Sequence, residues 1–432
     1  DQLAAKLAAF GVNGVRFHHM DAQAFPNGLW KPDFSGLDPR SLDRLDYFLA
    51  ALKREGIYAN LNLLVSRQLA RTGADYPPGS IPGQGKTVAI FEPELIELQK
   101  AFARDLLTRV NPYTGLTYAD DPVVAIIEIA NENTSFLSLS KHAQYLLPEP
   151  FATTFRDLWN AYLRDRYGND ASLRAAWGVE AEFLLKQEAS LAAGNIPFFQ
   201  RIDMYPGRRS EDFVDFLTEL DRRFFTGMYG FLREELGVQS LITGTEGFTL
   251  PGDYVQSHLD FVDAHDYWQH PVFPGRAWDR ENWHILNTAM VDEPAASTLL
   301  QLTFQRMLNP DRSGEPMPFT VSEYNHAAPN DHQAEGFPML AAFAAAQDWD
   351  GIFLFAYSHS KNWDQNFVSS FFDIHGHPLK TIQLAAGALL FRRGDIQPLE
   401  RHVHIHLPYE EMRRLGAIHL PWTDTILYGA DL

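Results

Sequence analysis

Two glutamates in this chain each lie at the end of a run of buried-type residues. Glu132 follows the aliphatic run 123–129, and Glu323 lies in the run Phe319-Thr320-Val321-Ser322-Glu323. Continuous rather than alternating apolar runs are typical of parallel strands covered on both faces. Polar residues at the carboxyl ends of such strands lie where α/β proteins place their chemistry. Two carboxylates at one such edge could act as general acid and nucleophile on a glycosidic bond. The alternative, that either glutamate caps a following helix, stays open at this point.

The elements that must position these glutamates alternate between strand-like and helix-like patterns. Seven strand-like runs are predicted, at 12–17, 57–65, 123–129, 240–245, 260–266, 319–323 and 351–357. Helical spacing of apolar residues separates most of them, which implies a parallel sheet with right-handed crossovers. Because a helix at 3–10 precedes the first run, we predict an α/β fold, a (β/α)8 TIM barrel whose first strand is absent from the chain. A doubly wound sheet would usually show a glycine-rich phosphate turn, and the sequence has none.

Two segments depart from this alternation. Residues 134–211 form a long helical insertion after the fourth barrel strand, with helices predicted at 151–167 and 170–177. Beyond residue 395 the helical period is lost, and 401–407 alternates as an exposed strand would. We therefore predict a catalytic barrel over 1–395 and the start of a β-rich C-terminal appendage over 396–432.

The composition excludes several classes of function. A formal charge of −19 disfavours nucleic acid and anionic membranes as partners, since both require a basic surface. The absence of cysteine excludes disulfides, zinc-thiolate sites and thiol nucleophiles. No run approaches the ~18 apolar residues of a membrane span. No cofactor is implied, and the sequence does not indicate an oligomeric state. Localisation stays open, with a secreted or periplasmic protein suspected. The N-terminus looks incomplete, because the chain opens in what reads as mid-helix.

The order of the two glutamates resembles a known group of enzymes. Asn131-Glu132 after the fourth barrel strand, with a lone Glu323 after the seventh, resembles the clan A retaining glycoside hydrolases. That clan includes the cellulase and mannanase families and the family-forty-two type β-galactosidases, and the resemblance covers roughly residues 1–392. It implies that Glu132 is the acid/base, that Glu323 is the nucleophile and that Asn131 binds the sugar 2-hydroxyl. The substrate would be a β-linked oligo- or polysaccharide.

Further positions follow from the same resemblance. Arg16 matches an arginine that contacts the nucleophile, and His265 and Tyr267 match a His-x-Tyr at the sixth strand, in which Tyr267 would donate to the nucleophile. Residues 159–168 and 175–178 also resemble the family-forty-two type. A departure is that many relatives have a tryptophan after the eighth strand, where this chain has Ala356-Tyr357-Ser358-His359. Sugar contacts are therefore also expected from the aromatic residues Tyr357, Trp363 and Trp268, with Trp30, Trp278 and Trp283 as further candidates.

Two other classes of function compete with this prediction. A carbohydrate-binding protein on a degenerate barrel would bind saccharide without turnover. A metal-dependent hydrolase would use histidines such as His265 and His270. Such barrels usually carry a His-x-His at the end of the first strand, which this chain, with its first strand absent, cannot show. The alternating His402, His404 and His406 could also hold a metal, although an exposed strand is the favoured interpretation. We therefore predict a site without a metal ion.

Overall fold

The structure is a computed structural model. It describes residues 1–22, 28–76, 79–140, 147–185, 188–198, 207–244, 249–294, 297–307, 317–360, 362, 364–401, 403 and 405–418. Trp363, His402 and His404, for which the sequence suggests a sugar contact and metal ligands, lie outside these residues.

Seven strands alternate with helices along the described chain, as predicted. In chain order the strands are β1 Gly14–Phe17, β2 Tyr58–Asn62, β3 Val124–Glu128, β4 Leu241–Thr243, β5 Val262–Trp268, β6 Phe319–His326 and β7 Gly351–Ile352. All neighbouring strands pair in parallel, in the orders β1-β2-β3-β4 and β5-β6-β7. This is the α/β architecture expected from the sequence, with the carboxyl ends of the strands at one edge.

Contacts bring the two groups of strands together on both sides. The N–H of Asp260, just before β5, donates to the carbonyl of Ile242 in β4 at 3.1 Å. On the other side, Gly14 in β1 packs against the ring of Phe353, which follows β7, so closely that a Cβ there would lie 3.2 Å from the ring. The glycine therefore permits the first and last strands to approach.

Helices outside the insertion pack their apolar faces on the strands. In chain order they are α1 Gln2–Ala9, α2 Pro39–Arg54, α3 Pro93–Leu107, α4 Ser135–Leu139, α5 Phe151–Tyr167, α6 Asp170–Trp177, α7 Val179–Leu184, α8 Arg208–Gly230, α9 Leu250–Gln256, α10 Thr298–Met307, α11 Gly336–Ala346, α12 Pro378–Arg393 and α13 Tyr409–Ile418. Proline stands at the first position of α2, α3 and α12, where its fixed φ and missing N–H suit the start of a helix. No helix in the described part of the chain is long and apolar enough to cross a membrane.

The insertion contributes its own apolar core. Phe155 and Trp159 of α5 pack on Phe213 and Phe216 of α8. Trp177 of α6 stacks on Trp159 in the same core. The helices predicted at 151–167 and 170–177 are confirmed. Helix α8 begins inside the predicted insertion, at Arg208, and a π-helical turn, Phe231–Glu235, follows its end at Gly230.

The prediction of a strand at 401–407 is wrong, because the residues described there, 401, 403 and 405–407, form no strand. Ile405 and Leu407 pack beside Leu250 and Phe304 on the outer helices, and the N–H of Ile405 donates to the carbonyl of Met307 at 2.9 Å. The alternation thus reflects one face lying on helices rather than pairing with a sheet edge. Helix α13 follows, in place of the expected β-rich start, and Arg413 pairs with Glu211 of α8 at 3.3 Å.

Candidate active site

Side chains from four strands meet at the carboxyl edge of the sheet. Arg16 belongs to β1, Glu128 ends β3, His265 belongs to β5 and Glu323 belongs to β6. The sequence placed Glu323 just after its strand, but β6 runs on to His326. Glu132 lies four residues beyond β3, after the backbone has left the ladder. Parallel strands bring these positions together because their carboxyl ends share one edge.

Arg16 is the centre of the cluster. Its Nε and Nη2 donate to the two carboxylate oxygens of Glu128 at 2.7 and 2.8 Å. Its Nη1 donates to Oε1 of Glu323 at 2.5 Å, and its Nη2 also donates to the side-chain oxygen of Asn131 at 2.7 Å. The planar guanidinium suits this arrangement because it presents several donors in a fixed fork. Burial alone lowers the pKa of Arg16, but the charges of Glu128 and Glu323 outweigh that effect and raise it.

Glu323 is held as a carboxylate by its surroundings. Burial by itself raises the pKa of Glu323, but the positive charges of His265 and Arg16 lie close enough to bring it well below its ordinary range. The Tyr267 hydroxyl donates to Oε2, and His18 Nε2 lies 3.7 Å from Oε1. An ionised, firmly oriented carboxylate of this kind can act as a nucleophile.

Glu132 belongs to a second polar chain through His265. Its Oε1 lies 2.8 Å from Nδ1 of His265, and Nε2 of that ring lies 2.7 Å from the Ser322 hydroxyl. Ser322 in turn donates to Asp263 at 2.5 Å. Since the serine proton points to Asp263, Nε2 of His265 must donate to the serine oxygen. One proton then lies between Nδ1 of His265 and Glu132. Nδ1 donates this hydrogen bond when Glu132 is a carboxylate, and Nδ1 accepts it when Glu132 is protonated.

The charge on His265 follows from these neighbours. Burial lowers the pKa of His265, but the negative charge of Glu323 and the hydrogen bond to Glu132 raise it above its ordinary value overall. Burial raises the pKa of Asp263 to about 6. The ring is fully enclosed, whereas the side chain of Glu132 is about one-third exposed. Glu132 is therefore the carboxyl group that can reach a ligand and exchange a proton with it.

One oxygen of Glu132, one of Glu323 and a ring nitrogen of His265 lie within 4.8 Å of one another, which is close enough to hold a metal ion. The local charges do not favour one. Both Glu323 oxygens already accept hydrogen bonds, from Arg16 and from Tyr267. The Arg16 guanidinium would also repel a dication.

Aromatic rings line the site beside Tyr267. Phe372 lies 4.6 Å from the Tyr267 ring, and Phe355 lies 6.1 Å from Tyr267 and 5.4 Å from His18, centroid to centroid. Asn325 holds this wall: its amide nitrogen donates to the carbonyls of Phe355 and Phe372. Phe355 follows the last strand, so a phenylalanine lies near the place where the resemblance led us to expect a tryptophan.

Not all predicted contact residues reach the cluster. Trp268 is a correction: it is 4 % exposed, packs in the core beneath the sheet, and its Nε1 donates to the carbonyl of Thr288, so it has no face for a sugar. Tyr267, the residue just before Trp268 on β5, points its side chain to the opposite face, because side chains alternate along a strand. Tyr357 stacks on His375 at 5.2 Å, and its hydroxyl lies 3.2 Å from Nδ1 of that ring.

The other tryptophans divide between packing and exposure. Trp30 stacks on Phe102 at 5.8 Å within the core, and Trp283 donates to the carbonyl of Ala328 at 2.9 Å. Trp278 is 60 % exposed, 5.5 Å from the His270 ring, and His270 in turn lies 5.7 Å from the Tyr267 ring. Trp278 is thus an open aromatic face adjoining the site.

Sequence reasoning missed three charged or titratable residues here. Glu128 reads as an ordinary strand residue, but it is fully buried and is the two-bond partner of Arg16. Its position in a run otherwise aliphatic was the available signal, because a lone buried carboxylate needs a cation. Lys86 lies in a glycine-rich loop and donates to the carbonyl of Asn131 at 2.6 Å. His18 directly follows β1, and burial with the nearby Arg16 lowers its pKa well below the ordinary value.

In its fold this protein resembles the TIM-barrel glycoside hydrolases. No model of a protein family matches the sequence, and a search of curated proteins found no match. The likeness is therefore one of fold.

Particular solved structures show this likeness over nearly the whole chain. The endo-beta-1,4-mannanase from Thermotoga petrophila has a TM-score of 0.53 at 13 % identity, covering 91 % of this chain and 73 % of the mannanase. A GH5_18 protein from Streptomyces cattleya, solved with GlcNAc, has a TM-score of 0.55 at 12 % identity, covering 99 % of this chain and 84 % of that protein. The beta-galactosidase from Marinomonas ef1 has a TM-score of 0.56 at 13 % identity, covering 90 % of this chain and 56 % of that enzyme.

Proposed function

We propose that this protein is a retaining glycoside hydrolase that cleaves β-linked sugars by double displacement. The observation that carries the proposal is the spacing of the two carboxyl groups: an oxygen of Glu132 and an oxygen of Glu323 lie within 4.8 Å of each other. Retaining enzymes place their carboxyl groups ~5–5.5 Å apart, whereas inverting enzymes leave ~6.5–9.5 Å for a water molecule. The spacing favours direct attack by a carboxylate.

The two glutamates take different roles because their surroundings differ. Glu323, kept ionised by His265 and Arg16, attacks the anomeric carbon as the bond to the glycosidic oxygen breaks. Glu132 gives its proton to that departing oxygen. Water then attacks the glycosyl–Glu323 ester, Glu132 takes a proton from this water, and the sugar leaves with its original anomeric configuration. The proton shared by Glu132 and His265 allows Glu132 to alternate between its two states.

Asn131 and the aromatic residues supply the sugar contacts in this proposal. The side-chain oxygen of Asn131 is occupied by Arg16, so its amide nitrogen remains to donate to the sugar 2-hydroxyl. Phe355 and Tyr267 bound the position beside Glu323, and Trp278 offers an apolar face to a neighbouring sugar ring. A β-mannosyl or β-galactosyl unit is the first substrate to test, given the solved structures that share this fold.

The test is covalent labelling with a panel of activated 2-deoxy-2-fluoro β-glycosides of mannose, galactose and glucose, followed by peptide mass mapping. The fluorine slows both steps, and a good leaving group lets the glycosyl-enzyme accumulate. We expect one adduct, on Glu323, and none in Glu323→Gln. The sugar that labels fastest identifies the substrate class.

The same experiment separates the proposal from its alternatives. An adduct on another residue would overturn the assignment of Glu323. Saccharide binding without any adduct or turnover would instead indicate a carbohydrate-binding protein on the same fold.

A further inference from the structure

Lys86 and the segment after β3 are joined by two reciprocal hydrogen bonds. The Lys86 ammonium donates to the backbone carbonyl of Asn131 at 2.6 Å, and the side-chain amide nitrogen (Nδ2) of Asn133 donates to the backbone carbonyl of Lys86 at 3.1 Å. Glu132 is the residue between these two asparagines. One residue of a different loop therefore bonds the backbone just before Glu132 and the side chain just after it.

Glu132 has a backbone conformation that needs such support. Its φ is +44°, in the left-handed region that residues with a Cβ rarely adopt. Such conformations persist only where the surrounding structure enforces them. The carbonyl of Asn131 belongs to the peptide that leads into Glu132, so the bond from Lys86 acts on the plane that determines this angle.

Lys86 is itself placed firmly. Gly85, with φ +86°, packs so closely that a Cβ would lie 3.0 Å from Ile81 and 3.1 Å from Leu69. The N–H of Gly85 donates to the carbonyl of Pro82 at 2.9 Å, and the short helix Val88–Ile90 follows. Burial lowers the pKa of the Lys86 ammonium, while the negative charge of Glu132 opposes that change. A lysine drawn out of water in this way needs the acceptor that Asn131 supplies.

We propose that Lys86 is a positioning residue for Glu132, holding the Asn131–Glu132 peptide so that the Glu132 carboxyl group faces both His265 and the departing glycosidic oxygen. This inference rests on the proposed function, because it assigns Lys86 to the proton-transfer half of that reaction. It predicts that losing the ammonium harms protonation of the leaving group while sparing attack by Glu323.

The experiment compares leaving groups rather than overall activity. A 2,4-dinitrophenyl glycoside needs no proton to depart, whereas a 4-methylphenyl glycoside does. With the sugar chosen by labelling, kcat/KM is measured for both substrates in the wild type and in Lys86→Met, Lys86→Arg and Lys100→Met. Lys100 is a matched control because its ammonium pairs with Glu97 on helix α3, away from the site.

We expect Lys86→Met to lose ~10–100-fold on the 4-methylphenyl glycoside, a part of the ~10²–10⁴-fold that general acid catalysis contributes, and less than ~3-fold on the dinitrophenyl glycoside. Lys86→Arg, which keeps the charge and a donor, should recover most of the loss. Lys100→Met should match the wild type on both. If Lys86→Met does not fold, Lys86→Gln, whose shorter and neutral side chain removes the ammonium, takes its place with the same expected losses.

The contrary outcomes are distinct. Equal losses on both substrates, or no loss on either, would overturn the role of Lys86 while labelling of Glu323 in the wild type leaves the proposed function standing. A wild type that neither hydrolyses the glycosides nor becomes labelled would overturn both proposals together.

Discussion

The guanidinium of Arg16 and the carboxylate of Glu128 form a two-bond ion pair, Nε to Oε2 at 2.7 Å and Nη2 to Oε1 at 2.8 Å. The side chain of Arg16 is 5 % exposed and that of Glu128 is fully buried. Because Glu128 fixes the plane of the guanidinium, the remaining Nη1 points at Glu323. The nucleophile proposed for this protein is thus oriented, through Arg16, by a carboxylate that is itself fully buried.

Glu128→Gln tests this relationship. An amide can accept one of the two hydrogen bonds from Arg16, but its nitrogen then faces a donor. Hydrogen bonds to charged groups contribute ~1.5–3 kcal/mol each, so we expect the free energy of unfolding to fall by about that amount. Denaturant titration of the wild type and the variant measures it. The control Glu97→Gln, at a carboxylate 67 % exposed, should change stability by less than ~0.5 kcal/mol. A Glu128→Gln variant as stable as that control would contradict the buried pairing.

Tyr267→Phe tests the electrostatics of Glu323. The hydroxyl bond to Oε2 is one of the interactions that lower the pKa of Glu323, so its loss should raise that pKa. An ionised nucleophile is required, and its charge is lost as pH falls through the pKa. The acid limb of kcat/KM should therefore move to higher pH. At the optimum we expect a ~10–100-fold loss, the equivalent of one hydrogen bond to a charged group.

The pH–rate profile of kcat/KM on the glycoside identified by labelling is the measurement. Tyr47→Phe, which removes an exposed hydroxyl on helix α2, is the control and should leave both the limb and the rate in place. An acid limb that stays where it is in Tyr267→Phe would show that this hydroxyl does not set the charge of Glu323.

Lys380→Met tests the charge of the buried Lys380 ammonium, which bonds the asparagine that holds Phe355 and Phe372. The Lys380 ammonium donates to Asn325 at 2.9 Å, and burial lowers its pKa to about 7. In the unfolded chain lysine titrates near ~10.4, so between these values the unfolded state binds more protons and stability rises with pH. The free energy of unfolding of the wild type relative to Lys380→Met should thus increase from pH 7 to pH 10, by at most ~1.4 kcal/mol per unit. A difference independent of pH would show that Lys380 stays charged in the folded protein.

Treatment with a chelator tests the arrangement of Glu132, His265 and Glu323. Their ligand atoms are close enough for a metal, but Arg16 and Tyr267 already occupy the oxygens of Glu323. We expect glycoside hydrolysis to continue unchanged after EDTA treatment and dialysis. Loss of activity that returns on adding Zn²⁺ or Mn²⁺ would instead support a metal-dependent hydrolase.

Much of the fold follows from patterns that are local in the sequence. Each strand and most helices are marked by apolar periodicity, by proline at helix starts and by glycine at helix ends, and all of these act within a few residues. The two glutamates could be singled out because each ends a buried run. The segment at 401–407 was misjudged for the same reason: alternation records one covered face and does not say whether a sheet or a pair of helices covers it.

The relationships between strands were decided only by the tertiary structure. Glu128 and Glu323 are 195 positions apart in the sequence, yet one guanidinium joins them, since barrel geometry brings distant strand ends together. The burial of Trp268, the position of Phe355 beside Tyr267 and the hold of Lys86 on Asn131 likewise depend on which face or loop each residue occupies. The sequence by itself determined which chemical groups stand at the ends of the strands. Their partners, and hence their charges, depend on distances in space, because electrostatic and hydrogen-bond energies fall off within a few ångströms whatever the separation along the chain.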